Sequence, residues 1–420
     1  MEKEKNKERI PQLRFPEFKN APAWEQRKLG KVGITQSGIG FPDAEQGGKE
    51  GIPFFKVSDM NIIGNEFEMQ SANNYVSKEQ IERKNWKPIT SVPAIMFAKV
   101  GAAIMLNRKR LIRHPFLIDN NTMAYIFDKT WDINFGKIIF DTIYLPKYSQ
   151  VGALPSYNGS DIENINVFMP NSLPEQKAIG DFFSTLDRSI ALHQRELENL
   201  KNRKKSLLQK MFPKNGESVP KIRFPEFKNA PAWEQRKLGE VAEFSKGNGY
   251  SKSDLIPTGT PIILYGRLYT NYETIIDKVD TYVSPKENSV VSQGNEVIVP
   301  ASGETAEDIS RASVVKNSGV ILGGDLNIIK VNDLISTPFL AITISNGRQQ
   351  KELSKRAQGK SVVHIRNSDL KQVDLMSPSL PEQKAIGDFF STLDRSIALH
   401  QRKLEHLKLR KKALLQKMFP

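Results

Sequence analysis

The sequence predicts an α+β protein in which two similar domains are joined by two long antiparallel coiled-coil helices, with internal pseudo-twofold symmetry. The segment RFPEFKNAPAWEQRKLG, which we term the lead segment, occurs at residues 14–30 and again, unchanged, at 223–239. A second segment, SLPEQKAIGDFFSTLDRSIALHQR, occurs at 172–195 and at 379–402. Each copy of the second segment continues in a heptad pattern, and short apolar runs fill the regions between the repeats, which indicates helices alternating with sheets.

The repeats divide the chain of 420 residues into two long units, unlike the short stacked units of a solenoid. Gly38–Gly40 in the first variable region matches Gly247–Gly249 in the second. This match favours one fold with two different surfaces, and the alternative is that only the flanking segments were duplicated. We expect four parts: a first domain at 1–170, a central helix at 171–213, a second domain at 214–378 and a C-terminal helix at 379–420.

Both variable regions are rich in short β-branched and aromatic runs such as IPFFKV, AIMFAKV, MAYIFD and LNIIKV. Turn residues separate these runs, as in DNN and SQGNE. Short apolar runs bounded by turn residues are typical of strands. We therefore expect each domain to be built mainly on sheets.

The second repeated segment predicts a long helix. Pro174 stands in its first turn, a position that favours helix starts, and no glycine or proline interrupts residues 181–212. Apolar residues recur there at alternating spacings of four and three, which is the pattern of a coiled-coil seam. The alternative is two independent amphipathic helices, each docked on its own domain. The predicted seam residues are Ile179, Phe183, Leu186, Ile190, Leu197, Leu200 and Leu207, and then Ile386, Phe390, Leu393, Ile397, Leu404, Leu407 and Leu414.

The charge is strongly basic, with 61 Lys and Arg against 47 Asp and Glu, a net +14. Residues 24–170 and 233–377 are nearly neutral, so the two helices hold more than half of the excess. A basic chain suggests a polyanionic partner. The run from Arg108 to Arg113 is the densest basic cluster within a domain, and we expect it to face that partner.

The residues predict no catalytic centre. The absence of cysteine excludes disulfides, thiolate zinc sites and cysteine nucleophiles. The five histidines lack metal-ligand spacing, and Gly359-Lys360-Ser361 lacks the first glycine of a phosphate-binding loop. We therefore expect no catalytic residue, no metal ligand and no cofactor bound by this chain.

The order of variable region, heptad helix, variable region and the same helix again resembles the specificity subunit of type I restriction-modification systems. The two LPEQKAIGDFFSTLD segments, at Leu173–Asp187 and Leu380–Asp394, carry the resemblance most specifically. It implies that each variable domain is a target recognition domain for one half of a split, asymmetric double-stranded DNA site. The helices would set the unread gap and dock two methyltransferase subunits.

The resemblance also implies partners and a location. Two restriction subunits, acting as translocase and nuclease, would complete the complex. S-adenosylmethionine, ATP and Mg²⁺ would belong to the partner subunits, and the chain would be cytoplasmic in a bacterium or archaeon. A non-enzymatic coiled-coil scaffold whose basic charge is incidental is the alternative function, and a stand-alone nuclease or methyltransferase is disfavoured by the missing motifs.

The resemblance places DNA contacts in the domain loops, and residue type then selects candidates, because Lys, Arg and Asn side chains read base edges and phosphates. In the first domain the candidates are Ser37, Lys56, Ser58, Lys99, Arg108, Arg110, Tyr157 and Asn158. In the second domain they are Lys246, Asn248, Arg267, Tyr269, Ser302, Arg311, Lys360 and His364.

Overall fold

The computed structural model describes residues 9–150, 154–357, 359 and 362–420. The chain forms two compact units: unit 1 is Met1–Gln194 with Lys403–Pro420, and unit 2 is Arg195–Arg402. Each unit thus contains one variable domain, the first part of the long helix that follows it, and the last part of the other long helix.

Unit 1 is built on an antiparallel main sheet and a smaller mixed sheet, with short helices around them. Its strands are β1 (Glu25–Lys28), β2 (Gly33–Ser37), β3 (Ile52–Phe55), β4 (Tyr75–Val76), β5 (Ala94–Ala98), β6 (Lys109–Ile112), β7 (Leu117–Ile118), β8 (Thr122–Phe127) and β9 (Asn166–Met169). Its helices are α1 (Lys78–Lys84), α2 (Ile133–Thr142), α3 (Gly159–Glu163) and the start of the long helix α4 (Leu173–Met211). The main sheet has the order β2-β8-β5-β6, a smaller one has the order β4-β3-β7, and β1 pairs with β9.

Unit 2 repeats this arrangement. Its strands are β10 (Glu234–Lys237), β11 (Ala242–Lys246), β12 (Thr260–Ile263), β13 (Ile275–Ile276), β14 (Tyr282–Val283), β15 (Glu296–Pro300), β16 (Ser302–Gly303), β17 (Ser313–Val315), β18 (Ile321–Leu322), β19 (Leu326–Val331), β20 (Val363–His364) and β21 (Asp374–Ser377). Its helices are α5 (Leu238–Val241), α6 (Arg267–Thr270), α7 (Ala306–Ile309), α8 (Thr337–Ile344), α9 (Gly347–Arg356), α10 (Asn367–Lys371) and the start of the long helix α11 (Leu380–Met418).

The main sheet and the smaller sheet have the same strand order in the two units. The order β11-β19-β15-β17 in unit 2 corresponds to β2-β8-β5-β6 in unit 1, with β13 added at the edge, and β14-β12-β18 corresponds to β4-β3-β7. The register agrees as well, because Ala98 lies opposite Thr122 in unit 1 and Pro300 lies opposite Leu326 in unit 2. The prediction of two domains with one fold is confirmed.

The central strand of each main sheet is buried on both faces, which explains its continuous apolar sequence. In β5, Ile95 and Phe97 pack into the cluster that contains Trp24 and α2, whereas Ala94 and Met96 pack into a second cluster on the other face. Side chains alternate across a strand, so a strand between two cores reads as an unbroken apolar run.

The lead segment and the start of each long helix form one buried joint. In unit 1, Arg14 makes a bidentate pair with Glu175, with Nε–Oε1 at 2.7 Å and Nη2–Oε2 at 2.8 Å. The indole Nε1 of Trp24 donates to the same carboxylate at 3.2 Å. In unit 2, Arg223 pairs with Glu382 in the same way. The two repeated segments are therefore the two halves of this joint.

The end of each long helix packs into the unit that contains the start of the other one. In unit 1, Phe419 packs edge-on against Trp24 and stacks on Phe135. In unit 2, Phe212 packs edge-on against Trp233 and stacks on Phe339. The repeated Met-Phe-Pro ending thus completes the aromatic core of each domain.

The helix segments run antiparallel within each unit. In unit 1, Phe183 lies against Phe419, and Asp187, one turn later, pairs with Lys411, two turns earlier. The structure buries or half-buries every seam residue predicted above. The expectation of long antiparallel coiled-coil helices is confirmed. Among the described residues, no helix is both long and apolar enough to cross a membrane.

We predict that Glu175→Gln destabilises unit 1. Arg14 and Glu175 are almost fully buried, and removing one charge leaves the guanidinium buried without its partner, which costs about 3 kcal/mol or more. For a unit of this size, the midpoint of thermal unfolding should fall by about 6 °C. Glu25→Gln is the control, because the Glu25–Arg27 pair is exposed and contributes about 1 kcal/mol at most. Equal falls in the unfolding midpoint of the two variants would contradict the conclusion that the buried Arg14–Glu175 pair stabilises unit 1.

Candidate functional site

Strand ends converge at one side of the sheets in unit 1. Ser37 ends β2 opposite Met123, near the start of β8, and Ala98 ends β5 opposite Thr122. The backbone N–H of Lys99 donates to Asn121 at 2.7 Å, and that of Asp119 donates to Phe55 at 3.0 Å. We term this side the loop edge of unit 1; it comprises Ser37, Lys56, Ser58, Lys99, Arg108 and the turn at 119–121.

The equivalent loop edge of unit 2 follows from the same bonds. The N–H of Ala301 donates to Asp325 at 2.7 Å, as Lys99 does to Asn121, and the N–H of Gly323 donates to Ile263 at 3.0 Å, as Asp119 does to Phe55. The loop edge of unit 2 comprises Lys246, Asn248, Leu264, Ala301, His364 and the turn at 323–325. Position by position, the two edges carry different side chains on one backbone frame.

Most of the predicted residues of the first domain lie on its loop edge or close to it. Ser37, Ser58 and Asn158 are exposed. Lys56 is half-buried and donates from Nζ to Gln46 at 3.1 Å, while Lys99 is half-buried without a side-chain bond to another described residue.

Two arginines of the basic run, both half-buried, donate hydrogen bonds to a neighbouring loop. Arg108 donates to the Asn61 side chain, and Arg110 donates to the backbone carbonyl of Met60. Both bonds reach the short 3₁₀ helix at Val57–Asn61, which carries Ser58. Burial lowers the pKa of Arg110 from its usual value, and its Nε is buried without a partner in the described residues.

Two expectations in the first domain are wrong. Tyr157 is only 1% exposed and packs in the core beside Phe97, so its side chain cannot reach a ligand. Lys109, the middle of the basic run, points inward because side chains alternate along β6. Its Nζ donates to the Ile143 carbonyl at 2.6 Å, and burial lowers its pKa to about 8.

In the second domain, three candidates lie exposed on the loop edge. Lys246 ends β11, and His364 lies in β20 opposite Ser302. Asn248 follows Lys246 and donates from Nδ2 to the Asn288 carbonyl at 2.9 Å. These three residues are therefore exposed to solvent along this edge.

The other candidates of this domain have internal partners. Arg267 pairs with Glu273 at 3.0 Å and with Asp280 at 2.8 Å, so its guanidinium holds a turn together. The hydroxyl of Tyr269 donates to the Ser302 carbonyl at 2.6 Å. Burial raises the pKa of that hydroxyl.

The remaining candidates differ in position. The Ser302 side chain is itself buried, so the expectation that Ser302 contacts a ligand is wrong. Arg311 is half-buried and pairs with Asp308 at 3.2 Å. Lys360 lies outside the described residues.

The turns that enter β8 and β19 are not among the residues predicted from the sequence. Asn121 and Asp325 occupy the same position in these turns, immediately before the strand, and both are exposed. The signal available in the sequence was the turn residues DNN and GGD between two apolar runs. Their equivalence follows from the strand register, which composition does not reveal.

The seam carries a matched ion pair in each unit. In unit 1, Lys411 Nζ lies 2.6 Å from Asp187 Oδ1, and in unit 2, Lys204 Nζ lies 2.5 Å from Asp394 Oδ1. Burial raises the pKa of Asp187, against the opposing effect of Lys411. A buried pair of this kind adds little net stability, whereas an arrangement that leaves one of its charges unpaired is strongly destabilised.

Two copies of one fold, with a repeated helical frame and differing loop edges, define a class of protein that presents two recognition surfaces. The chain belongs to the family described as type I restriction modification DNA specificity domain, which matches residues 22–202 and 231–409. Its two matches cover both variable domains and much of both long helices.

The chain is also similar to three known proteins. The specificity subunit of the type I restriction enzyme MjaVIII from Methanocaldococcus jannaschii is 24% identical over 281 residues, and the alignment spans 65% of this chain and 65% of that relative. The S subunit of a type I restriction-modification system from M. genitalium has a TM-score of 0.69 at 13% identity, covering 98% of this chain and 99% of that one. The HsdS subunit from Thermoanaerobacter tengcongensis is 16% identical, covering 94% and 96%, with a TM-score of 0.39.

We predict that the Asp187–Lys411 pair specifies helix register in unit 1. Asp187→Lys places two ammonium groups together and should lower the unfolding midpoint, because it leaves buried charge uncompensated. Adding Lys411→Asp reverses the pair and should restore most of the loss, measured as a coupling in a double-mutant cycle. Lys412→Asp, at the exposed neighbouring position, is the control. Rescue by this control as large as that by Lys411→Asp would refute a specific pair.

Proposed function

We propose that this chain is the DNA-binding specificity subunit of a type I restriction-modification complex, in which each unit reads one half of a bipartite, asymmetric site in double-stranded DNA. One observation carries the proposal: the same strand ends in the two units present different side chains. Lys99 in unit 1 corresponds to Ala301 in unit 2, and Lys56 corresponds to Leu264. Two domains that share one fold but differ at their loop edges suit a DNA target whose two halves differ in sequence.

The chemistry of the edges supports a nucleic-acid target. Lys and Arg side chains bind phosphates and guanine, while Asn reads adenine. Lys56, Lys99 and Arg108 belong to the loop edge of unit 1, and Lys246 and Asn248 belong to that of unit 2. Sheet loops with such side chains position contacts on a rigid scaffold.

The long helices would set the spacing between the half-sites. Each is 39 residues long, or about 58 Å at 1.5 Å per residue. An uninterrupted helix transmits its length rigidly, so the unread gap in the DNA would follow from it.

The repeated helices would also dock two methyltransferase subunits. Leu192 in unit 1 and Leu399 in unit 2 occupy the same position of the repeat and are 45% and 63% exposed. Equivalent exposed apolar residues suit two copies of one partner. Two restriction subunits would complete the complex.

The chain itself would be non-catalytic. S-adenosylmethionine, ATP and Mg²⁺ would be used by the partner subunits in the cytoplasm. The division of labour places recognition in this chain and chemistry in the others.

The first test selects DNA from a random library with the purified full chain bound to its methyltransferase partner. We expect a bipartite motif with two different halves, matching the methylation that disappears from the source cell when the chain is deleted. Replacing residues 240–378 by residues 31–171 uses the identical flanking repeats as junctions. This chain should select two copies of a single half-site. Binding without sequence preference would instead indicate a scaffold.

The second test changes the helices. Four alanines inserted into each, between Arg195 and Lys201 and between Arg402 and Lys408, add about 6 Å. The insertion turns each helix by only about 40° beyond a full turn. We expect the unread gap to lengthen by about two base pairs, with both half-sites unchanged. As a control, the same residues inserted in the exposed turn at 214–217 should leave the gap as it was. An unchanged gap in the helix variant would refute the spacer role.

A further inference from the structure

The turn that enters β8 in unit 1 has a counterpart entering β19 in unit 2. Each turn has three residues, 119–121 and 323–325, between a short parallel-paired strand and a long central strand. The last residue of each turn, Asn121 or Asp325, accepts a backbone hydrogen bond from the strand end beside it. Both side chains are exposed on the loop edge, each immediately before its strand, although only Asp325 has a left-handed φ.

The exposed carboxylate of Asp325 is unfavourable on a surface that contacts only phosphates. A carboxylate close to a phosphodiester backbone is repelled, and a positively charged chain gains nothing from it there. In the part of the chain that the structure describes, its carboxylate has no hydrogen bond or ion pair. Lys246, at the neighbouring strand end, is exposed beside it.

A carboxylate does have one favourable partner on DNA, because the N4 amino group of cytosine donates a hydrogen bond into the major groove. A carboxamide at the same position offers both a donor and an acceptor, which matches adenine N6 and N7. The exchange of Asp for Asn between the two corresponding turns therefore changes which base is favoured.

We propose that these two turn residues determine base specificity: Asp325 accepts a hydrogen bond from a cytosine amino group in the half-site of unit 2, and Asn121 contacts adenine in the half-site of unit 1. This proposal rests on the proposed function, since it assigns two of the side chains that read the DNA. Neither Asn121 nor Asp325 is among the DNA-contacting residues that composition or resemblance predicts.

The backbone of Asp325 determines which substitutions are informative. Its φ is +59°, in the left-handed region that Asn and Gly adopt readily and that other side chains disfavour. Asp325→Asn and Asp325→Gly therefore change or remove the side chain without straining the turn. Asp333→Asn is the matched control, because Asp333 is an exposed aspartate just beyond the other end of β19.

The experiment repeats the DNA selection with the full chain and its methyltransferase partner. We expect Asp325→Asn to shift one position of the unit 2 half-site from cytosine to adenine by about tenfold or more, and Asp325→Gly to relax that position. The unit 1 half-site should not change in either variant. Asn121→Asp should shift one position of the unit 1 half-site from adenine to cytosine, and Asp333→Asn should change neither half-site.

The possible results distinguish a failure of the proposed function from a failure of the specificity assignment. If the wild-type chain selects no motif, the proposed function fails. If the wild-type chain selects a bipartite motif and Asp325→Asn keeps every base preference, the specificity assignment fails while the function stands. A uniform gain in affinity for all sequences in Asp325→Gly would mark a surface charge that repels phosphates, and would also overturn the assignment.

Discussion

The buried pair between the lead segment and the start of the following helix is the interaction on which each domain depends. Arg14 and Glu175 are 161 residues apart in the sequence and close the first domain between them. Because both groups are almost fully buried, the guanidinium can be satisfied only by its bidentate partner and the carbonyls of the lead segment. The chain therefore leaves the domain as a helix at one fixed place and direction.

That constraint explains which parts of the sequence are free to differ. The joint, the helix starts and the Met-Phe-Pro ends all consist of repeated residues, and their arginine–glutamate pair and their phenylalanine–tryptophan contact occur in both units. The loop edges lie at the ends of strands, where side chains point away from the sheet core. Exchanging Lys99 for Ala301 or Asn121 for Asp325 leaves the joint untouched. The repeated residues thus stabilise each domain, while the loop-edge residues can differ between the two units without weakening it.

The helices and the duplication could be predicted from the sequence because their signals are local. Heptad spacing along residues 173–211 needs no knowledge of the rest of the chain. The site residues depend on long-range pairing instead. Tyr157 and Ser302 have suitable chemistry but are buried by strands distant in sequence, and Lys109 turns inward because of its place in β6. Asn121 and Asp325 become equivalent only when the strand register of both units is known.

The distribution of charge bears on selectivity under the proposed function. Phosphate contacts strengthen binding to every DNA sequence alike, whereas base contacts strengthen it only for the correct one. The variable regions are nearly neutral and much of the net +14 lies on the helices, so the reading surfaces contribute few general phosphate contacts. An exposed carboxylate such as Asp325 adds no phosphate contact, whereas it can make a favourable contact with one base. Weak binding to wrong sequences preserves the ratio of specific to non-specific affinity, on which target selection depends. Partner subunits can then supply additional phosphate contacts without changing which sequence is selected.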